Sequence, residues 1–238
     1  MKPGVWMQRV DGRQPGLPLW LRWVGANSLA ETLGLGLTFA IDFAIMSRIT
    51  TESALGAGDV VLLMTASGAI EGIVVGLLQW SVIRRPFPLI TGRSWVIYTV
   101  AGAVIAWFFG SLPGVLMDTG AQDTGAAVQE PQALTALLLA AAMGVFLGFV
   151  LGYPQWRVLR RAVHGAWLWI PANCAAWALG MPAIFATIDL AQRSSSLEGI
   201  VLTMLAGLVF TGAIVGAVHG LALVRLASKA QAKPNAAQ

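Results

Sequence analysis

The chain has 238 residues, 57% apolar and only 11% charged, with a mean hydropathy of +0.72; this excludes an ordinary soluble domain, in which roughly 25% of residues are charged, and reads as an integral membrane protein. The formal charge of +4 comes from basic residues gathered at the ends of apolar segments, which argues for a membrane surface and against nucleic acid. The single cysteine, Cys174, excludes an internal disulfide or a multi-cysteine metal site and reads as a small packing residue.

Residues 1–18 are basic, rich in Pro and Gly, and lack the short apolar core of a signal peptide; they are expected to form a cytoplasmic N-terminal segment. Six apolar segments follow, each near the ~20 residues needed to cross the hydrocarbon: Leu19–Ile45, Val60–Ile83, Ser94–Met117, Ala133–Val158, Trp167–Ile188 and Ile200–Val224. The stretch between the third and fourth, Asp118–Gln132, is rich in Gly, Gln and Asp and is expected to be a mobile loop. The end of the chain, residues 227–238, is expected to be a disordered cytoplasmic tail.

The even-numbered segments share a pattern. Gly72, Gly76, Gln79, Trp80, Arg84 and Arg85 recur at the same spacing as Gly148, Gly152, Gln155, Trp156, Arg160 and Arg161, and more weakly as Gly212, Gly216, His219 and Arg225. With Gly68 and Gly144 these glycines form strips at every fourth position, smooth faces on which another helix can approach closely. The odd-numbered segments open on a second pattern: Trp23, Asn27, Ala30 and Gly34; Trp95, Thr99, Gly102 and Ala106; Trp169, Asn173, Ala176 and Gly180. Together they predict three parallel two-helix hairpin repeats, residues 19–86, 87–162 and 163–226, arranged as an all-α, pseudo-threefold six-helix bundle.

The pairing of W-x3-N with a later G-x3-G-x2-QW-x-[VL]-[LI]-RR resembles a group of uncharacterised, repeat-built polytopic membrane proteins of cyanobacteria and other bacteria. The likeness covers nearly the whole chain, although His219-Gly220 replaces Gln-Trp in the third repeat. It supports the repeat reading and implies no particular activity; the expected location is the bacterial inner membrane. Orientation follows from charge: Lys2, Arg9, Arg13, Arg22, Arg84, Arg85, Arg93, Arg157, Arg160, Arg161, Arg225, Lys229 and Lys233 lie on one side, and only Arg48 and Arg193 on the other, which places both termini in the cytoplasm.

Two carboxylates stand out by depth. At ~1.5 Å per residue, Glu31 and Glu71 both approach the midplane on adjacent helices and are expected to meet and share a proton. A charge there costs about 2.5–3.5 kcal/mol on insertion scales, so an intramembrane acid is either a functional residue or a hydrogen-bonded strut. Asn27, Glu31, Gly34, Thr38 and Asp42 form one stripe on the first helix, either lining a path or forming its packed side. Nearer the basic end, Asn27, Gln79, Thr99, Gln155, Asn173 and His219 are expected to form a polar belt that ties the hairpins together.

Trp20, Trp23, Trp80, Trp95, Trp156, Trp167 and Trp169 read as an interfacial aromatic belt, whereas Trp107 and Trp177 lie deeper, where they pack or touch a lipid or pigment. The hydrolase, protease, redox and P-loop motifs are absent. The nearest approach, Thr65-Ala66-Ser67-Gly68, lies toward one membrane face and His219 toward the other, so no catalytic pair, cofactor or metal site is expected. The sequence thus points to a non-enzymatic membrane protein with two candidate roles: a path for a proton, small cation or small solute centred on Glu31 and Glu71, or an accessory subunit of a larger membrane complex binding helices, lipids or pigments.

Overall fold

The computed structural model describes residues 16–46, 56–124 and 132–231. These residues are all helical apart from short turns: α1 (Leu17–Met46), α2 (Ala57–Ile83), α3 (Gly92–Thr124), α4 (Ala133–Leu159), α5 (Trp169–Gln192) and α6 (Leu197–Gln231). Each contains a stretch long and apolar enough to span a membrane. Burial runs opposite to that of a soluble protein. Leu29, Leu33, Leu37, Leu138, Leu139, Val201 and Phe210 are exposed, whereas Asn27, Glu31, Gln79, Thr99, Gln155, Asn173 and His219 are buried. A surface of leucine and phenylalanine around a polar interior is stable only when the surroundings are apolar, which makes the chain a multi-pass membrane protein.

Each helix packs on its sequence neighbours, and α6 packs back on α1. The glycine strips lie at three of these contacts. A Cβ at Gly72 would stand 2.7 Å from Val100 Cα, at Gly148 2.7 Å from Cys174 Cα, and at Gly212 2.6 Å from Ser28 Cα. One turn further, Gly76 meets Val96, Gly152 meets the Asn173 side chain, and Gly216 meets Val24. Gly68 faces the Trp107 ring and Gly144 the Trp177 carbonyl. A helix without a hydrophobic drive toward its neighbour gains from close van der Waals approach, and only glycine permits it here.

Two boundaries differ most from those expected. α3 continues to Thr124, through the first half of the stretch assigned to a loop, because no proline intervenes between Pro113 and Pro131 to end it. α6 continues to Gln231, so residues 227–231 are helical rather than a disordered tail; Leu226 and Ala227 are fully buried and hold that last turn on the bundle. The rest of the tail and most of the N-terminal segment lie outside the described residues.

Both turns at the arginine-rich end fold back into the bundle. Phe87 and Ile90 between α2 and α3, and Val163 and Ala166 between α4 and α5, are buried with Trp23, Ile83, Trp95, Leu159, Trp169, Leu223 and Leu226 in one apolar cluster. Gly165 carries the α4–α5 turn at φ 78°, a left-handed conformation that suits glycine. At the surface of this end, the Arg84 guanidinium lies 5.4 Å from the Trp80 ring centre and that of Arg160 lies 5.0 Å from Trp156.

Candidate functional site

Three tryptophans organise the arginine-rich half. Trp23, Trp95 and Trp169 have no exposed surface, and Trp169 sits edge-on between the others, 5.8 Å from Trp23 and 6.2 Å from Trp95. This corrects their assignment to the interfacial belt. Their distance from the helix ends suited a headgroup position, but the glycine contacts turn this face of each odd-numbered helix inward, where the rings fill the centre of the bundle. Trp20, Trp80 and Trp156 remain partly exposed and Trp167 mostly exposed.

Above the tryptophans the structure brings together all six residues of the polar belt. Trp169 Nε1 donates to Gln155 Oε1 at 2.9 Å; Gln155 Nε2 donates to Gln79 Oε1 at 3.0 Å and Thr99 Oγ1 at 3.1 Å; Gln79 Nε2 donates to Asn27 Oδ1 at 2.9 Å. Asn27 Nδ2 reaches back to the Trp23 carbonyl and Asn173 Nδ2 to that of Trp169, each across one helical turn. Trp23 Nε1 donates to His219 Nδ1 at 2.7 Å, which ties α1 to α6. The network therefore joins α5, α4, α3, α2 and α1, and the Trp23–His219 bond adds α6. Trp95 Nε1 alone of the three indoles is buried without an acceptor.

The acids lie one step further from the arginine-rich end. Glu31 is 2% and Glu71 6% exposed. Both border a chamber of about 20 Å³ shared with the belt residues, space on the order of one water. The expected hydrogen bond between the two carboxyls is not formed. Trp107 Nε1 donates to Glu71 Oε2 instead, and Glu31 Oε2 has no partner among the described residues. The α2 backbone at Glu71 comes close to α1 because Gly34 is opposite, where a Cβ would lie 3.2 Å from Glu71 Cγ. Trp107 was missed as Glu71's partner by sequence reasoning, although the residue count that puts Glu71 near mid-depth puts Trp107 at a similar level.

The stripe on α1 is its packed face toward α2. Asn27 meets Gln79, Gly34 meets Glu71, Thr38 Oγ1 lies 3.5 Å from the Ser67 carbonyl, and Ser67 Oγ donates to Asp42 Oδ1 at 2.6 Å. Ser67 is thereby paired with Asp42 and His219 with Trp23, so the serine and histidine are not brought together.

The half remote from the arginines contains a larger cavity of about 240 Å³. Its walls come from α1 to α5 and include Phe39, Met64, Met143, Met181 and Trp177, with Glu71 and Trp107 also on its lining. Glu71 thus borders both spaces, the apolar cavity on one side and the polar chamber with Glu31 on the other. No group of His, Cys, Asp and Glu able to hold a metal ion occurs among the described residues. Comparison of the chain with protein-family models, curated proteins and solved structures finds no match.

Proposed function

We propose that the protein is a non-enzymatic carrier of a bacterial inner membrane, coupling a small solute to a proton or small cation through Glu31 and Glu71. The observation that carries this reading is the placement of Glu71 on the boundary between a 240 Å³ cavity and the polar chamber, while the arginine-rich end is filled by buried tryptophans and turn residues. A cavity closed at one end suits one state of an alternating-access cycle better than a continuous pore. In that cycle the Glu31 carboxyl, whose Oε2 has no partner among the described residues, is the group that takes up the ion, and Glu71 is the group through which solute and ion sense each other.

The finer architecture belongs to the same proposal: three parallel hairpin repeats about a pseudo-threefold axis, with the arginine-rich end in the cytoplasm. It is supported by the matched contacts of Gly72, Gly148 and Gly212, each against the residue five past the repeat tryptophan. The acids break the symmetry. In this register Glu31 corresponds to Ala103 and Trp177, and Glu71 to Leu147 and Thr211, so only the first repeat is equipped for ion chemistry. The accessory-subunit reading is weaker because the glycine strips face helices of this same chain and leave no strip for a partner.

Two measurements test this. Reconstituted into liposomes, the wild type is expected to carry protons or a monovalent cation down a gradient, and the Glu31→Gln/Glu71→Gln variant to fold and carry none. Flux that survives in the double variant, or none in the wild type across a panel of cations, overturns the carrier reading. For topology, single cysteines are placed in a Cys174→Ala background: residue 122 is expected to label from the periplasm and residue 228 only after permeabilisation, and the reverse pattern overturns the orientation.

A further inference from the structure

The 240 Å³ cavity has an unusual combination of walls. Apart from one acid its lining is aliphatic, thioether, aromatic or neutral, and among the described residues Glu71 is the only ionisable one on it. One oxygen of that carboxyl is taken by the Trp107 indole, and no cation pairs with the acid among the described residues. Trp107 stands edge-on to Phe39 with 6.3 Å between ring centres, and both rings line the cavity together with the acid. Met64, Met143 and Met181 supply flexible, polarizable surface that adapts to irregular apolar shapes.

Each simple kind of occupant can be weighed against these walls. Water gains few partners from such a lining. An anion is opposed by Glu71. A neutral alkyl group fits the walls but offers no donor to the Glu71 oxygen that Trp107 does not hold. An ammonium on an apolar body meets every feature at once: its N–H donates to the remaining carboxyl oxygen, its charge lies near the aromatic rings, and its chain covers the methionines and leucines. The volume, on the order of eight waters, limits the body to a small molecule.

We infer that this cavity binds a small organic cation, a protonated amine on an apolar body, with Glu71 as its counter-charge and Trp107 as the residue that positions the carboxyl. The inference rests on reading the cavity as the solute chamber of the proposed carrier, and it names the class of solute.

The test is equilibrium binding in lipid nanodiscs, with empty discs as the reference for partitioning, using n-octylammonium, n-octanol and octanoate as matched probes. In the wild type, octylammonium is expected to bind at least tenfold more tightly than octanol, and octanoate not to bind. Glu71→Gln, which keeps an oxygen to accept from Trp107, should weaken octylammonium about tenfold and leave octanol unchanged. Leu77→Ala, on an exposed helix face away from both spaces, should change octylammonium affinity less than threefold. Equal affinity for octanol and octylammonium, a preference for octanoate, or indifference to Glu71→Gln overturns the inference. Should Glu71→Gln fail to fold, Ala106→Leu narrows the same cavity and is expected to weaken both octylammonium and octanol; undiminished binding places the site elsewhere and overturns the inference. Ion flux without any preference for the amine removes the inference and leaves the carrier, whereas amine binding without flux removes the carrier and leaves the site.

Discussion

The two halves of this bundle use the same helices in opposite ways. Toward the arginine-rich end, six helices are tied by amide, hydroxyl, indole and imidazole hydrogen bonds over a plug of three buried tryptophans, and glycine strips draw the backbones into contact. Toward the other end lies an apolar cavity, and among the described residues the side-chain to side-chain hydrogen bonds that join helices there are Trp107 to Glu71 and Ser67 to Asp42. In lipid, apolar side chains gain little by leaving the bilayer for the protein interior, so cohesion comes from close packing and hydrogen bonds. The half tied by the larger network is filled, and the half with fewer such bonds contains the cavity.

The largest effect is expected where backbones touch. Gly148→Ala sets a methyl 2.5 Å from the Asn173 carbonyl oxygen and 2.7 Å from Cys174 Cα, and backbone cannot swing aside as a side chain can, so thermal unfolding in detergent should show a loss of about 1–3 kcal/mol or failure to fold. Leu77→Ala, on a lipid-facing position 52% exposed, should move stability by no more than about 0.5 kcal/mol. In the open half, Gly110→Ala has only the end of Leu147 within reach, at 3.9 Å; there the gain in helix propensity, about 0.5–1 kcal/mol, should appear as a higher Tm. Equal responses at Gly148 and Gly110 would mean that the two halves do not differ in packing.

A second comparison separates the three central tryptophans. Phenylalanine in place of Trp23 or Trp169 leaves His219 or Gln155 without its donor, which should cost about 1–3 kcal/mol beyond the loss of ring size. Trp95→Phe removes an indole N–H that already lacks an acceptor, so it should cost less than either. The ranking is read from chemical denaturation of the three variants side by side. If Trp95→Phe proved the most damaging, the network would not be what holds this half together.

Much of this was legible in the chain. Spacing located the glycine strips and the six belt residues, since a helix repeats its face every three to four residues and a membrane span fixes depth. Composition and hydropathy located the six helices, because the hydrocarbon thickness sets a minimum apolar length. What spacing could not give was azimuth. Trp23, Trp95 and Trp169 have the depth of an interfacial belt, and only the neighbour that each helix meets decides whether that depth lies against lipid or on the bundle axis. For the same reason Glu71 was paired by depth with Glu31 but is held by Trp107 on α3.

By itself, then, the sequence determined the class of protein, the number of helices and the residues that bring helices together, because each depends on local periodicity and on transfer from water to lipid. Tertiary structure alone decided which polar atoms meet, that the stripe on α1 faces α2, and that a cavity lies beside Glu71. Those depend on how far backbones separate when small residues on one helix meet large ones on the next, a property of pairs of helices that no single segment carries.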